Sequence, residues 1–595
     1  MATRASAATV CEQFAATAGA HAPDVAIRTR DASISWTWAE YADRARGCAA
    51  ALAALGVERH HSVALWLRNR PAFHVVDAGA MLLGAVPVSI HPTAQDEDAA
   101  HVIADAGCRV LVTEPAFLGA ALTIRNSLAT ELETIVLVDG SGPGAVSWED
   151  FCAGADPAFD VDAASARVRP EDPICLVYTA GTTGPPKAIV LTHANVAAQV
   201  AAVTGMLGLV PSTRVVSFLP MAAMADRLCA QYLPMTLGWQ VTCCPDPALV
   251  GVFLREVQPG FVFAPPRTWE HLKASVMARI DNAEGLRALD SALHRVRLLR
   301  DGAPVPPDLS AACEAADSAF FSPLRARLGL DRVSHALMGA APCPVELTAF
   351  FHAIGIPVME LYGLTETVGP AAINMGPDTR AGTVGVPLPG CELRLSERGE
   401  VLVRAPFVAT HHRSGLQGTT SNVDADGWFA TGDLGAFDAD GALRILDRVD
   451  ALIVTGHGET VSPARIEAAI QRTSPLVGHA CIIGDGRPYP VALLTLDGDG
   501  AREWARARGL RGSDLGVLAD HPELLGAVAA GVARANVALR DHEHVRRFLL
   551  LGADWPAGGD ELTSTLKLKR RLIAAKYAPE VEALYDGDGV EPEQG

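Results

Sequence analysis

No apolar run in this chain is long enough to cross a bilayer, which takes about 20 consecutive residues. The most apolar stretch, Ala78 to Ile90, is interrupted by Gly79, Gly84 and Pro87. It therefore reads as the end of one buried element and the start of another. The opening MATRASAATVCEQFAA has no adequate apolar region for a secretory leader, so the expected location is cytoplasmic. The twelve cysteines include no CxxC pair and one adjacent pair, Cys243-Cys244. That excludes a disulfide framework or zinc-finger pattern and predicts reduced, mostly buried thiols. Positive charge is scarce: 49 Lys and Arg face 68 Asp and Glu, for a net charge of −19. Such a balance argues against a nucleic-acid binder, which needs a basic face to displace counterions. Any bound phosphate must be held by local cations and backbone donors, because charges beyond about 8 Å are screened. A GxxxxGK[ST] phosphate loop is also missing, which sets aside the Walker-type NTPases.

What the chain has is 595 residues, 49% hydrophobic and 20% charged, enough for several globular domains. Its first hundred residues alternate between patterns. WTWAEYADRARGCAAALAALGV, PAFHVVDAGAMLLGA and DEDAAHVIADAG have helical spacing, while SVALWL, VPVSI and CRVLVTE have the composition of strands. Alternation of this kind implies βαβ units and a largely parallel sheet. Trp36, Trp38 and Tyr41 read as packing residues. The buried strand Ile174–Val177 then runs into YTAGTTGPPKAIV, with the helical pattern LTHANVAAQV behind it. Gly181 and Gly184 let backbone approach an anion, Thr179, Thr182 and Thr183 supply hydroxyls, and Lys187 adds a positive charge. This is a phosphate-handling layout, although an ordinary Gly/Pro/Thr surface turn has the same composition.

Further on, VSFLPMAAMADRLCAQY predicts a strand and then a helix starting with Met221, whose apolar stripe of Met221, Met224, Leu228 and Tyr232 suits either a core or an acyl pocket. Met277 to Arg327 reads as helices. A strand ends in the turn Gly339, Ala340, Ala341, Pro342, and another carries Leu361, Tyr362 and Gly363 into Thr365 and Glu366. Small residues after a strand let an aromatic ring lie on the backbone with Tyr362 stacking on it. A carboxylate beside phosphates is best used as a Mg²⁺ ligand, since an unpaired anion would repel them. Asp433 is expected in a tight Thr-Gly-Asp turn with lone pairs open to the two hydroxyls of a ribose, with Arg448 serving the ribose or a phosphate. Beyond Asp450 a separate α/β unit begins. Near its end ELTSTLKLKRRLIAAKY concentrates Lys567, Lys569, Arg570 and Arg571 in an acidic chain.

Together these stretches resemble the adenylate-forming superfamily, and FLPMAAMADR, PPRTWEHL, GAAPCP and TLKLKRRLIAAKYAPEVEALY resemble its long-chain fatty acyl-CoA synthetase branch. YTAGTTGPPK is similar to the family's phosphate loop, LYGLTET to its Tyr-Gly-x-Thr-Glu motif and WFATGDLG to its ribose motif. DRVDALIVTGHGETVSPARIE is similar to its hinge region, and LTSTLKLKR to its C-terminal lysine motif. The resemblance implies an α/β fold: a large multi-subdomain N-terminal adenylation domain over residues 1–449 and a small hinged C-terminal domain over 450–595. It implies that a fatty acid is joined to coenzyme A through acyl-AMP, with ATP and Mg²⁺. Thr182, Thr183 and Lys187 would bind phosphates, Thr365 the α-phosphate, Glu366 the metal, and Asp433 with Arg448 the ribose. Asp450 falls at the hinge, Gly456 at the pantetheine tunnel, and Lys567 at the lysine that serves adenylation. Peripheral membrane contact and a homodimer stay open. So do two other readings: an acyl-AMP ligase that passes its acyl group to a carrier protein, and a non-catalytic nucleotide- or acyl-binding protein. Three positions depart from the family pattern: Ala180 replaces its usual Ser, Ala188 its Gly and Ala223 a common His. A lost phosphate hydrogen bond would cost on the order of 1 kcal/mol.

Overall fold

In the computed structural model the described residues are all but 1–8, 128–129, 180–185, 281, 376–381, 414–418, 511–513, 557, 564–566, 588 and 593–595, with the side chain of Asp450 also outside the description. The helical patterns form the helices Trp38–Ala54, Pro71–Leu83 and Asp96–Ala106. The first starts at Thr37, whose hydroxyl accepts the Glu40 amide while the Glu40 carboxylate accepts the Thr37 amide. This reciprocal pair supplies the free donors of a helix start. The apolar Ala78–Ile90 run ends the helix Pro71–Leu83 and begins the strand Val86–Ser89, both buried. Among the described residues no helix is long and apolar enough to cross a membrane.

Strands Ser62–Trp66, Val86–Ser89, Val110–Thr113, Thr134–Leu137 and Pro173–Thr179 are parallel neighbours in a nine-stranded sheet. Lys187–Thr192 adds antiparallel to Pro173–Thr179. The glycine-rich stretch thus joins two antiparallel strands, and the helix His193–Leu207 starts only after the second. A four-stranded sheet holds the parallel strands Arg214–Ser217, Gln240–Cys243 and Val25–Arg28. A five-stranded sheet holds Phe261–Ala264, His335–Met338 and Val358–Leu364, again parallel. An antiparallel sheet of Glu392–Leu395, Glu400–Arg404, Phe429–Phe437 and Leu443–Arg448 completes the large body.

From Ile453 onward the chain packs its own cores, with Val461, Ile466, Ile470, Leu494, Val528 and Phe548 in one and Trp555, Leu562 and Ile573 in another. Its three-stranded sheet is Val477–Ile483, Val491–Leu496 and Arg547–Leu551. The twelve cysteines are all free thiols, mostly buried. Trp38 and Tyr41 are core residues, and Trp36 packs against the same core. Met221, Met224, Leu228 and Tyr232 are all buried in it too, which explains the apolar stripe as packing. The helix there begins at Met224, not Met221, and passes into a π-helical turn, Arg227–Tyr232.

Candidate active site

The strand Val358–Leu364 turns at Thr365–Val368 and returns antiparallel as Gly369–Ile373. Two features fix this turn. Gly363 lies so close to the returning strand that a Cβ on it would sit 1.9 Å from the Gly369 carbonyl oxygen, so only glycine fits. Thr367, fully buried, accepts the Leu364 amide at 2.9 Å and donates to the Gly369 carbonyl at 2.6 Å. Val368 takes φ +56, a conformation that a β-branched residue keeps only when its surroundings impose it. The result presents Thr365 and Glu366 beyond the strand end. The Glu366 carbonyl accepts the Ala409 amide at 2.7 Å. Burial raises the Glu366 carboxyl above its ordinary range, and the positive charges of Arg448 and Lys567 oppose that rise. Its own backbone amide also holds the carboxyl down, and a carboxylate at this turn has an oxygen chemistry that suits a divalent cation.

Beside it, Gly339, Ala340, Ala341 and Pro342 follow the strand His335–Met338 as expected. A Cβ on Gly339 would lie 2.8 Å from the Leu361 carbonyl oxygen, so the glycine lets this turn rest on the neighbouring strand. Ala340 adopts φ +67, and Ala340, Ala341 and Pro342 are exposed.

Asp433 is placed differently from the sequence expectation. It lies within the strand Phe429–Phe437, not in a tight turn, and opposite Arg448 in the antiparallel register. Its lone pairs are not all open. Oδ2 accepts the Tyr362 hydroxyl at 2.7 Å and Oδ1 is 3.1 Å from Arg448 Nη1. The reason is burial: a carboxylate with 7% side-chain exposure must find donors inside the protein. Tyr362, expected to stack on a ring, is itself buried, and its hydroxyl is the group that orients Asp433. Burial raises the Asp433 carboxyl, opposed first by the Tyr362 hydrogen bond and then by the charges of Arg448 and Lys567.

Lys567 comes from the small C-terminal unit. Its hairpin is closed by the Thr563 amide donating to the Lys567 carbonyl at 2.8 Å and by the Lys567 amide donating to Thr563 Oγ1 at 3.0 Å. The residue is exposed, and its ammonium feels the charges of Arg448, Asp433 and Glu366. Surrounding protein, and then the like charge of Arg448, pull its ammonium below the ordinary lysine range. The structure therefore brings Glu366, Tyr362, Asp433, Arg448 and Lys567 into one cluster.

Thr179 and Lys187 are paired across the two strands that flank the phosphate-loop stretch. Gly181, Thr182, Thr183, Gly184 and Ala180 lie outside the described residues. His101 Nε2 is 3.0 Å from the carbonyl oxygen of Pro186, at the end of that loop. Ala188 is fully buried in the strand Lys187–Thr192, and Ala223 precedes the short helix at Met224. Asp450 falls in the short 3-10 turn Val449–Ala451. Gly456 sits in the small unit, its amide donating to the Arg487 carbonyl at 2.7 Å, outside the Lys567 cluster.

Sequence reasoning missed a second polar network, buried inside the large body. Asp226, 3% exposed, accepts from Ser217 Oγ at 2.7 Å and from Asn69 Nδ2 at 3.0 Å. Arg227, fully buried, reaches Asp77 at 2.8 Å and Ser89 at 2.7 Å. The only available signal was an Asp-Arg pair inside an apolar helical pattern, which by itself looks like a solvated edge. Nothing in the sequence announced the left-handed Ala340 or Val368.

The architecture is a large α/β body with carboxylates at its strand ends and a smaller α/β unit whose Lys567 feels their charge. The model of the AMP-binding enzyme matches residues 14–411 and that of the AMP-binding enzyme C-terminal domain residues 450–589, and the chain belongs to this family. It is 42% identical over 451 residues to the putative fatty-acid–CoA ligase fadD11 of Mycobacterium tuberculosis, covering 74% of this chain and 79% of that one. It is 32% identical over 590 residues to the long-chain-fatty-acid–CoA ligase FadD15 of the same organism, covering 95% of both. Among solved structures, the anthranilate CoA ligase AuaEII in complex with anthranoyl-AMP aligns with TM-score 0.70 at 19% identity, over 97% of this chain and 98% of that one. A Mycobacterium tuberculosis fatty acyl CoA synthetase aligns with TM-score 0.63 at 19% identity, over 96% and 99%. At that identity the structural likeness speaks for the fold.

Proposed function

We propose that this chain ligates a long-chain fatty acid to coenzyme A at the expense of ATP, through an acyl-AMP intermediate. The observation that best supports the proposal is that Lys567, from a unit with its own cores, feels the charges of Glu366, Asp433 and Arg448 in the large body. We place the boundary between the two units at residues 449 and 450, with the turn at Asp450 as the hinge.

In this reading a carboxylate oxygen of the fatty acid attacks the α-phosphorus of ATP, the bond to the β-phosphate oxygen breaks, and pyrophosphate leaves. The lysine ammonium neutralises charge developing on the phosphoryl and carboxylate oxygens, a task for which losing one preorganised donor costs about 10²–10³-fold in rate. Lys187 and the hydroxyls of Thr179, Thr182 and Thr183, with the backbone of Gly181 and Gly184, hold the phosphates. Thr365 contacts the α-phosphate. Asp433, already aimed by Tyr362, accepts from the ribose hydroxyls, and Arg448 lies beside it. Gly339 to Pro342, with Leu361 and Gly363, form the surface on which adenine rests. Glu366 would hold Mg²⁺ together with phosphate oxygens, and the ion supplies charge neutralisation there. Among the described residues no group of three or more His, Cys, Asp or Glu could hold a metal without such help.

In the second step the CoA thiolate attacks the acyl carbon, the bond to AMP breaks, and AMP leaves. That step needs Lys567 withdrawn and a thiol path past Gly456 brought in, which is the physical use of a hinge. Cytoplasm, which supplies ATP and CoA, is the compartment this requires. Vesicle flotation and elution volume decide peripheral membrane contact and a homodimer.

Lys567→Ala should remove fatty-acid-dependent ATP–pyrophosphate exchange by at least about 10²-fold while leaving thioester formation from preformed acyl-AMP within a few fold. Equal loss of both half-reactions refutes the division of labour, and a wild-type chain that binds ATP and fatty acid without releasing pyrophosphate refutes the ligase.

A further inference from the structure

Near the base of the segment that carries Lys567, Gly558 lies against the large body. Gly558 has φ +76, and a Cβ built on it would lie 2.9 Å from the carbonyl oxygen of Thr93 and 3.7 Å from Gln95 Nε2. Backbone carbonyl is a rigid neighbour, so a side chain here cannot be accommodated by a rotamer change. From this contact a short chain of backbone bonds leads to the lysine. The Gly558 amide donates to the Thr563 carbonyl at 3.2 Å, and the Thr563 amide donates to the Lys567 carbonyl at 2.8 Å.

The body side of the contact is equally specific. Residues His91 to Gln95 link the strand Val86–Ser89 to the helix Asp96–Ala106. The loop is held by the Ala94 amide on the His91 carbonyl at 2.9 Å and by the Thr93 amide on His91 Nδ1 at 3.2 Å. One turn into the helix, His101 reaches the Pro186 carbonyl at 3.0 Å. A single loop-and-helix element thus touches both the end of the phosphate-loop stretch and the base of the lysine hairpin.

We propose that Gly558 is a positioning residue for adenylation: its bare Cα lets the lysine hairpin seat on the Thr93 carbonyl, and this seat sets the register of Lys567 against the phosphate loop. When the small unit rotates for thioester formation the contact is not needed. Gly558 therefore serves the first half-reaction and not the second. The catalytic part of this inference rests on the ligase reading; the contact itself does not.

The test compares Gly558→Ala with Gly509→Ala in the full chain. Gly509 lies in the same unit at φ +68, and a Cβ there meets nothing within 4 Å, so it carries the same backbone strain without the clash. Amide hydrogen exchange over residues 91–95 should speed up in Gly558→Ala and match wild type in Gly509→Ala. ATP–pyrophosphate exchange should fall about tenfold or more in Gly558→Ala alone, while thioester formation from supplied acyl-AMP stays within about threefold in both variants. Unchanged amide exchange at 91–95 in Gly558→Ala overturns the contact, whether or not the wild type proves to be a ligase. Equal loss of both half-reactions, or the same selective loss in Gly509→Ala, overturns the positioning role. Absent exchange activity in wild type with altered amide exchange in Gly558→Ala supports the contact and refutes the ligase reading instead.

Discussion

Replacing Tyr362 by Phe removes one oxygen atom and tests how Asp433 is held. The lost bond is 2.7 Å long and both of its ends are buried, with Tyr362 8% and Asp433 5% exposed. Hydrogen bonds to charged groups contribute about 1.5–3 kcal/mol, and each 1.4 kcal/mol is a factor of ten. Burial already drives the Asp433 carboxyl upward, and this bond is the largest single effect holding it down. Without it Asp433 is both less well aimed and more readily protonated. Tyr362→Phe should therefore raise the KM for ATP roughly 10- to 100-fold in fatty-acid-dependent pyrophosphate exchange, with little change in the KM for the fatty acid. The acid limb of the exchange rate should move to higher pH, because a carboxyl of raised pKa loses its charge earlier as pH falls. Titrating ATP at several pH values measures both effects. A KM for ATP within about twofold of wild type, together with an unmoved acid limb, would refute the claim that the tyrosine hydroxyl prepares Asp433 for a ribose.

The buried polar network of the large body makes two further tests. Asp77→Ala leaves the fully buried Arg227 without its carboxylate and should cost about 3–5 kcal/mol in urea unfolding, whereas replacing both residues with apolar ones should cost far less; equal losses would show that the pair is not the source. Asp226, raised by burial to about 7 from an ordinary 3.8, is protonated more readily folded than unfolded. Its stabilising contribution is full below about 4 and fades as pH rises toward about 7. Between those limits the urea midpoint of wild type should fall relative to Asp226→Asn, and parallel pH curves would contradict the assignment.

Local sequence was enough for many of the elements, though not for the strand Lys187–Thr192 that follows the phosphate-loop stretch. The helical spacing of WTWAEYADRARGCAAALAALGV marks a helix, Pro173 and the apolar residues after it mark a buried strand, and the Gly-Ala-Ala-Pro and Thr-Glu stretches mark turns at strand ends. These depend on interactions within a few residues, so composition and spacing reveal them. Which unit carries Lys567, and that a second compact core begins near Ile453, was legible from the break in pattern around Asp450 and from the cluster of cations at the tail. Tertiary structure alone decided the rest. Asp433 belongs to a strand and not a turn because its neighbour is Arg448 on a separate strand. Tyr362 aims a carboxylate because folding buries both across 71 positions of sequence. Val368 keeps a left-handed backbone because Gly363, Thr367 and Gly369 surround it. The Asp433 and Tyr362 outcomes are set by the desolvation of groups on separate strands, a free energy that exists only once the sheets have packed.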